Sequence, residues 1–292
     1  MEQDRNDAGA VADESDAAAS APRARLDAFR RRSLRRGVNP FVYWTLRAIL
    51  VPTFLVYLRM QRVGREHLPK HGPLLLAANH RSFLDPFVIG TLVRRPVYYM
   101  AKRELFDKRW QAWLLNALGA FPVDRGHGDA AAMDTARAIL RRGDCVVVFP
   151  EGTRVRRGPL GSPRRGVGRL VLETGVQVVP VAVFGSEHVR RGWRIRPRRV
   201  RLRVGRPMSF PTSGSSSPAL AAAVTERIWA CVSLQWEWLG GVRASDEPAK
   251  ATPAAARADR SRGESAHATR PARERICSDS ADAAQEKEPR AA

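Results

Sequence analysis

From residue 62 onward, short apolar runs alternate with longer segments of helical periodicity, and this alternation limits the folds open to the chain. The strand-like runs are Leu74–Ala78, Val97–Ala101, Ala120–Val123, Cys145–Phe149, Val176–Phe184 and Arg199–Val204. The helix-like segments are Pro86–Leu92, Glu104–Leu118, Ala130–Arg141, Val167–Glu173 and Ala219–Leu239. Runs such as VVVF are apolar throughout, as is typical of strands covered on both faces. The pattern predicts an α/β fold in which helices cover the faces of a sheet.

The two ends of the chain differ from its middle in composition. Residues 1–36 pass from an acidic to a basic stretch, and residues 242–292 contain almost no large apolar side chains, so both are predicted to be disordered tails. Between them we expect a membrane-associating helix at 37–60 and one domain at 61–241. The three cysteines lie far apart, which indicates neither a disulfide framework nor a zinc site and fits a reducing compartment. We find no apolar core of a secretion signal at the N-terminus.

Residues 41–58 form the most apolar stretch of the chain, interrupted by Arg47 and Pro52. A spanning helix needs about 20 apolar residues, so this stretch is slightly short. The preceding run RRRSLRRG would suit anionic lipid headgroups. An interfacial or half-inserted helix is favoured, and a true span or a buried helix of the domain are the alternatives. We therefore expect a peripheral or monotopic protein on the cytoplasmic face of the cell membrane.

The formal net charge of +21 lies almost entirely within residues 37–241 and comes mostly from arginine. A region this basic is expected to meet a phospholipid surface, a phosphorylated substrate or nucleic acid. The arginine-rich stretch 190–206 alternates with Val200, Leu202 and Val204, which predicts a half-exposed strand. It contains no known nucleic-acid-binding motif, and anionic lipid or plain solvation accounts for it equally well. We therefore expect a membrane surface as a partner and no nucleic acid.

A histidine and an aspartate stand five residues apart in NHRSFLD, residues 79–85. Asn79 and His80 follow the apolar run LLLAA, and Pro86 favours Asp85 as the N-cap of the next helix. The chain must therefore turn between them, which can bring the carboxylate to the imidazole. Such a pair can take a proton from a substrate hydroxyl. An ordinary strand end followed by a helix cap is the alternative.

Other candidate residues also lie just after predicted strands. The turn FPEGTR follows the run CVVV and contributes Glu151, Thr153 and Arg154, while Pro150 and Gly152 make the turn tight. Lys102 and Arg125 follow two further strands. Each could be a solvated loop residue when taken alone. If the strands are parallel neighbours, however, four residues converge on one edge of the sheet: His80, Lys102, Arg125 and Arg154. One base with several phosphate-binding cations describes a site at which a phosphorylated molecule is bound and its hydroxyl acts as the nucleophile.

In order and spacing, these motifs resemble blocks of the glycerolipid acyltransferases, the 1-acylglycerol-3-phosphate acyltransferase family. NHRSFLD is similar to the first block, GAFPVDR (119–125) to the second, FPEGTR (149–154) to the third and VVPVAV (178–183) to the fourth, with AKRELF (101–106) as a further segment. The resemblance covers roughly residues 60–210. It implies a central mixed, largely parallel sheet flanked by helices, with an N-terminal membrane-associating helix and an acyltransferase domain at 61–241.

The resemblance also implies a reaction. His80 would deprotonate the free hydroxyl of 1-acyl-sn-glycerol 3-phosphate, and Asp85 would orient His80. The hydroxyl oxygen would attack the thioester of acyl-CoA or acyl-carrier protein, giving phosphatidic acid. The implied substrate-binding residues are Asn79, Lys102, Arg125, Glu151, Gly152, Thr153 and Arg154. No metal, cofactor or covalent acyl-enzyme is implied. The alternatives are another lysophospholipid or glycolipid acceptor, and a non-catalytic basic protein that binds membranes or nucleic acid.

Overall fold

A computed structural model describes residues 24–124, 129–191, 193–213 and 217–241 of the chain. Its helices are α1 (24–35), α2 (Pro40–Tyr57), α3 (Asp85–Gly90), α4 (Arg109–Ala117), α5 (Ala130–Arg141), α6 (Gly166–Thr174) and α7 (Pro218–Trp238). Its strands are β1 (Gln61–Val63), β2 (Leu74–Ala78), β3 (Val97–Lys102), β4 (Ala120–Val123), β5 (Cys145–Val148), β6 (Gln177–Phe184), β7 (Arg190–Arg191), β8 (Arg194–Ile195) and β9 (Arg201–Val204). Short 3₁₀ turns lie at Arg65–His67, Arg103–Phe106 and Ser186–His188.

Seven of these strands form one sheet, in the order β1-β9-β6-β2-β5-β3-β4. Strand β9 runs antiparallel to β6, and the other neighbouring strands pair in parallel. Strands β7 and β8 form a separate antiparallel pair. The predicted α/β fold with a mixed, largely parallel sheet is therefore confirmed. The carboxyl ends of β2, β3, β4, β5 and β6 lie on one edge, where the loops that follow them can meet.

Strand β2 lies at the centre of the sheet and divides the core into two layers. All five of its residues are fully buried. Leu74, Leu76 and Ala78 pack on one face with residues of α2, α3 and α4, whereas Leu75 and Ala77 pack on the other face with α5, α6 and α7. This division follows from the alternation of side chains along a strand. The buried centre of the sheet therefore ends immediately before Asn79 and His80.

Residues 24–35 are a correction to the predicted N-terminal tail, because they form helix α1 instead of a disordered segment. The ring of Phe29 packs on Phe106, and Ser33 is fully buried. The side chain of Asn116 donates hydrogen bonds to the Phe29 carbonyl and to the Ser33 hydroxyl. Because this stretch contains many arginines, its short apolar face, which packs on the domain, was not recognised in the sequence. The rest of the predicted tails, residues 1–23 and 242–292, lies outside the described residues.

Helix α2 packs along the domain with one side and exposes the other. Asn39 caps its first turn by accepting a hydrogen bond from the Val42 amide. The single charge of the apolar stretch, Arg47, points toward the domain and donates to the carbonyls of Gly90 and Val93. Among the described helices, α2 is the one long and apolar enough to cross a membrane by length and composition. Most of its surface is exposed.

Truncation of Asn116 tests the attachment of α1. Asn116→Ala removes the donors to Phe29 and Ser33, which we expect to cost about 1 to 3 kcal/mol of local stability. Tryptic cleavage between residues 30 and 36 should then accelerate about fivefold or more under native conditions. Trp113→Ala, an exposed position on the same helix, serves as the control. Equal cleavage rates in the Asn116 variant and the wild type would contradict this attachment.

Candidate active site

The turn after β2 brings His80 and Asp85 into direct contact. His80 Nδ1 lies 2.9 Å from Asp85 Oδ2, and both residues are buried. A carboxylate can only accept hydrogen bonds, so in the neutral imidazole the proton on Nδ1 points to Asp85 and the lone pair is on Nε2. No described residue forms a hydrogen bond with Nε2. The pair therefore has the geometry of a general base held by a carboxylate.

The Asp85 carboxylate accepts three further hydrogen bonds. The backbone amides of Arg81 and Ser82 donate to Oδ2 at 2.6 and 2.7 Å. The hydroxyl of Ser186, which is fully buried after β6, donates to Oδ1 at 2.6 Å. Asp85 was predicted to be an N-cap, but α3 begins at Asp85 itself and the carboxylate instead binds amides that precede the helix. Ser186 was missed, because no feature of the sequence places it near Asp85.

The FPEGTR turn holds the backbone of His80 from both sides. Glu151 Oε2 accepts a hydrogen bond of 2.7 Å from the His80 amide, and Oε1 accepts one from the Gly161 amide. The His80 carbonyl in turn accepts a hydrogen bond from the Val155 amide. Burial raises the pKa of Glu151, while the two amide hydrogen bonds oppose that shift. Glu151 was predicted to bind substrate, but both of its oxygens hold the protein backbone.

Gly152 supplies the turn with a backbone conformation that other residues rarely adopt. Its φ is +67°, and a Cβ at this position would meet the side chain of Arg164 at 2.8 Å. The structure thus assigns Gly152 a role in shaping the turn. Thr153 and Arg154 follow it and are exposed.

Two neighbours fix the position of the imidazole further. The ring of Phe149 stacks on that of His80, with centroids 4.1 Å apart. The side-chain amide of Asn79 donates to the Val183 carbonyl and accepts from the Val183 amide, so it holds the end of β2 to β6. Asn79 was predicted to contact substrate, but it is fully buried and its amide is engaged with β6.

The predicted cations do not all gather at one point. Arg154 lines a cavity of about 330 Å³ next to the His80–Asp85 turn, hereafter the arginine cavity. Its lining consists of Arg81, Ser82, Phe83, Arg154, Arg156, Glu187 and Arg190. Lys102 lies at the end of β3, with β5 between it and β2, and pairs with Glu104. Arg125 lies outside the described residues.

Arg81 is buried although it carries a charge. Its guanidinium donates to the carbonyls of Val155 and Gly158 and lies 4.3 Å from the ring centre of Trp236. Burial lowers the pKa of Arg81, and the nearby Glu187, Glu151 and Asp85 oppose that shift. Because Nη1 and Nη2 both donate to the loop that follows FPEGTR, Arg81 stabilises that loop, while its buried Nε–H has no partner among the described residues. The exposed arginines of the cavity are therefore the better candidates for an anionic substrate.

A second cavity lies on the Phe149 side of the site. Its volume is about 430 Å³, and it extends along the ends of β3, β4 and β5. Met100, Met133 and Val148 give it apolar walls, and Arg164 and Arg165 lie at its surface. Within the described residues, no group of histidine, cysteine, aspartate or glutamate side chains is arranged to hold a metal ion.

Comparisons with known proteins relate this arrangement to one family. Residues 59–184 match the family model described as Acyltransferase. A 1-acyl-sn-glycerol-3-phosphate acyltransferase of Bacillus subtilis (strain 168) is 29% identical over 151 residues, which cover 50% of this chain and 71% of the relative. A protein of the same description from Pseudomonas aeruginosa is 27% identical over 194 residues, which cover 65% of this chain and 74% of the relative.

A solved structure has a similar fold. It is the crystal structure of the 1-acyl-sn-glycerophosphate (LPA) acyltransferase PlsC from Thermotoga maritima, with a TM-score of 0.51 and 23% identity over 77% of this chain and 97% of that chain. The fold and the family match together define an acyltransferase enzyme. These matches confirm the resemblance to the glycerolipid acyltransferases that the four motifs indicate.

Ser186→Ala tests whether the buried hydroxyl positions Asp85. Loss of a hydrogen bond to a carboxylate is worth about 1.5 to 3 kcal/mol, so we expect kcat to fall about tenfold to a hundredfold. The acceptor KM should stay unchanged, because Ser186 lies behind Asp85. Ser33→Ala removes another fully buried serine hydroxyl far from the site and serves as the control for stability. Equal kcat values for the two variants would show that the Ser186 contact is merely structural.

Proposed function

We propose that the protein transfers an acyl chain from a thioester to the free hydroxyl of 1-acyl-sn-glycerol 3-phosphate, giving phosphatidic acid in phospholipid biosynthesis. The observation that carries the proposal is the buried His80–Asp85 pair beside the arginine cavity. This arrangement combines a base for a hydroxyl with cations for a phosphate. The descriptions of the Bacillus and Pseudomonas relatives support the same acceptor.

The reaction needs one base and no covalent enzyme intermediate. His80 Nε2 takes the proton from the acceptor hydroxyl, while Asp85 stabilises the imidazolium that forms. The oxygen attacks the thioester carbonyl carbon, so that a C–O bond forms and the C–S bond breaks. The imidazolium then returns its proton to the leaving thiolate. The contacts of Ser186 and Glu151 keep the imidazole in place throughout.

The acceptor's phosphate is assigned to the arginine cavity. Arg154 and Arg156 are exposed there, with Arg190 at the same wall. A guanidinium can bind two phosphate oxygens at once. Lys102 is a weaker candidate, because it lies two strands from β2 and is paired with Glu104.

The thioester donor is assigned to the second cavity. Phe149 lines that cavity and stacks on His80, which would bring a donor carbonyl close to the base. Its apolar walls suit an acyl or pantetheine chain, and Arg164 and Arg165 suit the phosphate that coenzyme A and acyl-carrier protein share. We therefore expect acyl-CoA or acyl-carrier protein as a substrate and no separate cofactor.

We further propose that the protein works at the cytoplasmic face of the cell membrane as a peripheral or monotopic enzyme. Both the acceptor and the product are lipids. The exposed apolar side of α2 supports contact with a bilayer. The engagement of Arg47 with the domain favours a helix that lies along the membrane surface over one that crosses it.

A thioester-release assay with purified protein tests the reaction. Release of free thiol should depend on 1-acyl-sn-glycerol 3-phosphate, and His80→Ala should reduce kcat about 100-fold or more because the general base is lost. His71→Ala, an exposed histidine near the opposite edge of the sheet, should leave the rate unchanged. A folded His80→Ala protein with full activity would falsify the mechanism.

Arg154→Ala tests the phosphate assignment. Loss of one charge-assisted contact should raise the acceptor KM about tenfold or more and leave the donor KM unchanged. Arg157→Ala, an exposed arginine of the same loop outside the cavity lining, is the matched control. If both variants raise the acceptor KM equally, general charge attraction and not a specific clamp holds the phosphate.

A further inference from the structure

An exposed apolar surface lies where α2 ends next to the β7–β8 pair. It consists of Val56, Tyr57, Trp193, Arg194 and Ile195, hereafter the Trp193 surface. Trp193 is 83% exposed and Val56 79% exposed. The Tyr57 hydroxyl donates a hydrogen bond of 3.0 Å to the Ile195 carbonyl, so the two elements are joined. Exposed apolar side chains that lie together in this way mark a binding surface.

The surroundings of this surface are basic. Arg194 lies over the Trp193 ring at 5.0 Å, and Arg198 and Arg199 are exposed on the same connection to β9. The sequence from residue 189 to 206 contains no aspartate or glutamate. An indole ring with adjacent guanidinium groups suits the headgroup layer of an anionic bilayer, where each arginine contributes about a fivefold gain in binding.

The Trp193 surface begins one strand away from the arginine cavity. Arg190 pairs with Ile195 across β7 and β8, and its guanidinium lies over the Phe83 ring at 5.3 Å. Both Arg190 and Phe83 line the arginine cavity. A membrane in contact with Trp193 would therefore lie beside the entrance to the site that we assign to the acceptor's phosphate.

We propose that the Trp193 surface binds an anionic phospholipid bilayer and holds the entrance of the arginine cavity at the headgroup layer. This inference rests on the proposed function, because it gives the lipid acceptor a route into the site without leaving the membrane. Nucleic acid is the poorer occupant, since it would use arginines and stacked rings but not the aliphatic side chains of Val56 and Ile195. A bilayer accommodates the indole, the aliphatic groups and the arginines together.

Binding to vesicles tests the proposal on the full chain. Trp193→Ala should weaken binding to phosphatidylcholine vesicles containing phosphatidylglycerol by about tenfold, through loss of the interfacial indole. Trp238→Ala is the matched control, because Trp238 is 67% exposed and also stacks with an arginine, Arg203, but lies on α7. Binding of the Trp193 variant equal to that of the wild type overturns the proposal. The proposal is also overturned if the Trp193 variant binds duplex DNA more weakly than the wild type while its binding to vesicles is unchanged.

Activity measured in two forms of acceptor separates this proposal from the proposed function. With a short-chain acceptor kept monomeric in solution, Trp193→Ala should turn over as fast as the wild type. With the acceptor presented in anionic vesicles, it should be several-fold slower. Wild-type protein that is inactive on both forms contradicts the proposed function. The vesicle-binding experiment would still decide whether the Trp193 surface binds a bilayer. Equal rates for variant and wild type on vesicles overturn the role of the Trp193 surface in substrate entry.

Discussion

The fully buried carboxylate of Asp85 is the interaction around which the site is organised. A buried charge costs several kcal/mol unless hydrogen bonds replace its water. Asp85 obtains four such bonds: two from the turn that precedes it, one from His80 and one from Ser186 after β6. These hydrogen bonds to Asp85 close the turn after β2, orient the imidazole and tie the neighbouring strand β6 to the site.

Much of the sheet could be predicted because its strands are buried on both faces and so read as apolar runs. The bounds predicted for β2 and β4 agree with the structure. The alternation of Arg201 and Leu202 likewise indicated a strand, but its antiparallel pairing with β6 depends on how the chain returns through the short β7–β8 pair. Strands of two or three residues, such as β1 and β7, carry too little pattern to be predicted.

The local part of the candidate site could also be predicted, whereas its supports could not. His80 and Asp85 are five residues apart, so a single turn is enough to join them. Ser186 reaches Asp85 from 101 residues away, and Glu151 reaches His80 from 71 residues away. A motif also cannot show whether a polar group faces a substrate or the backbone. Asn79 and Glu151 were assigned to substrate for this reason, although both hold backbone groups.

The attachment of α2 has a consequence for handling the protein. Phe54 and Leu58 are part of the main core cluster, and Tyr43 accepts a hydrogen bond from the Val97 amide at the start of β3. Deleting this helix to obtain a shorter catalytic fragment would uncover that core and leave the carbonyls of Gly90 and Val93 without their arginine. An apolar segment that looks like a removable anchor is thus part of the folded domain.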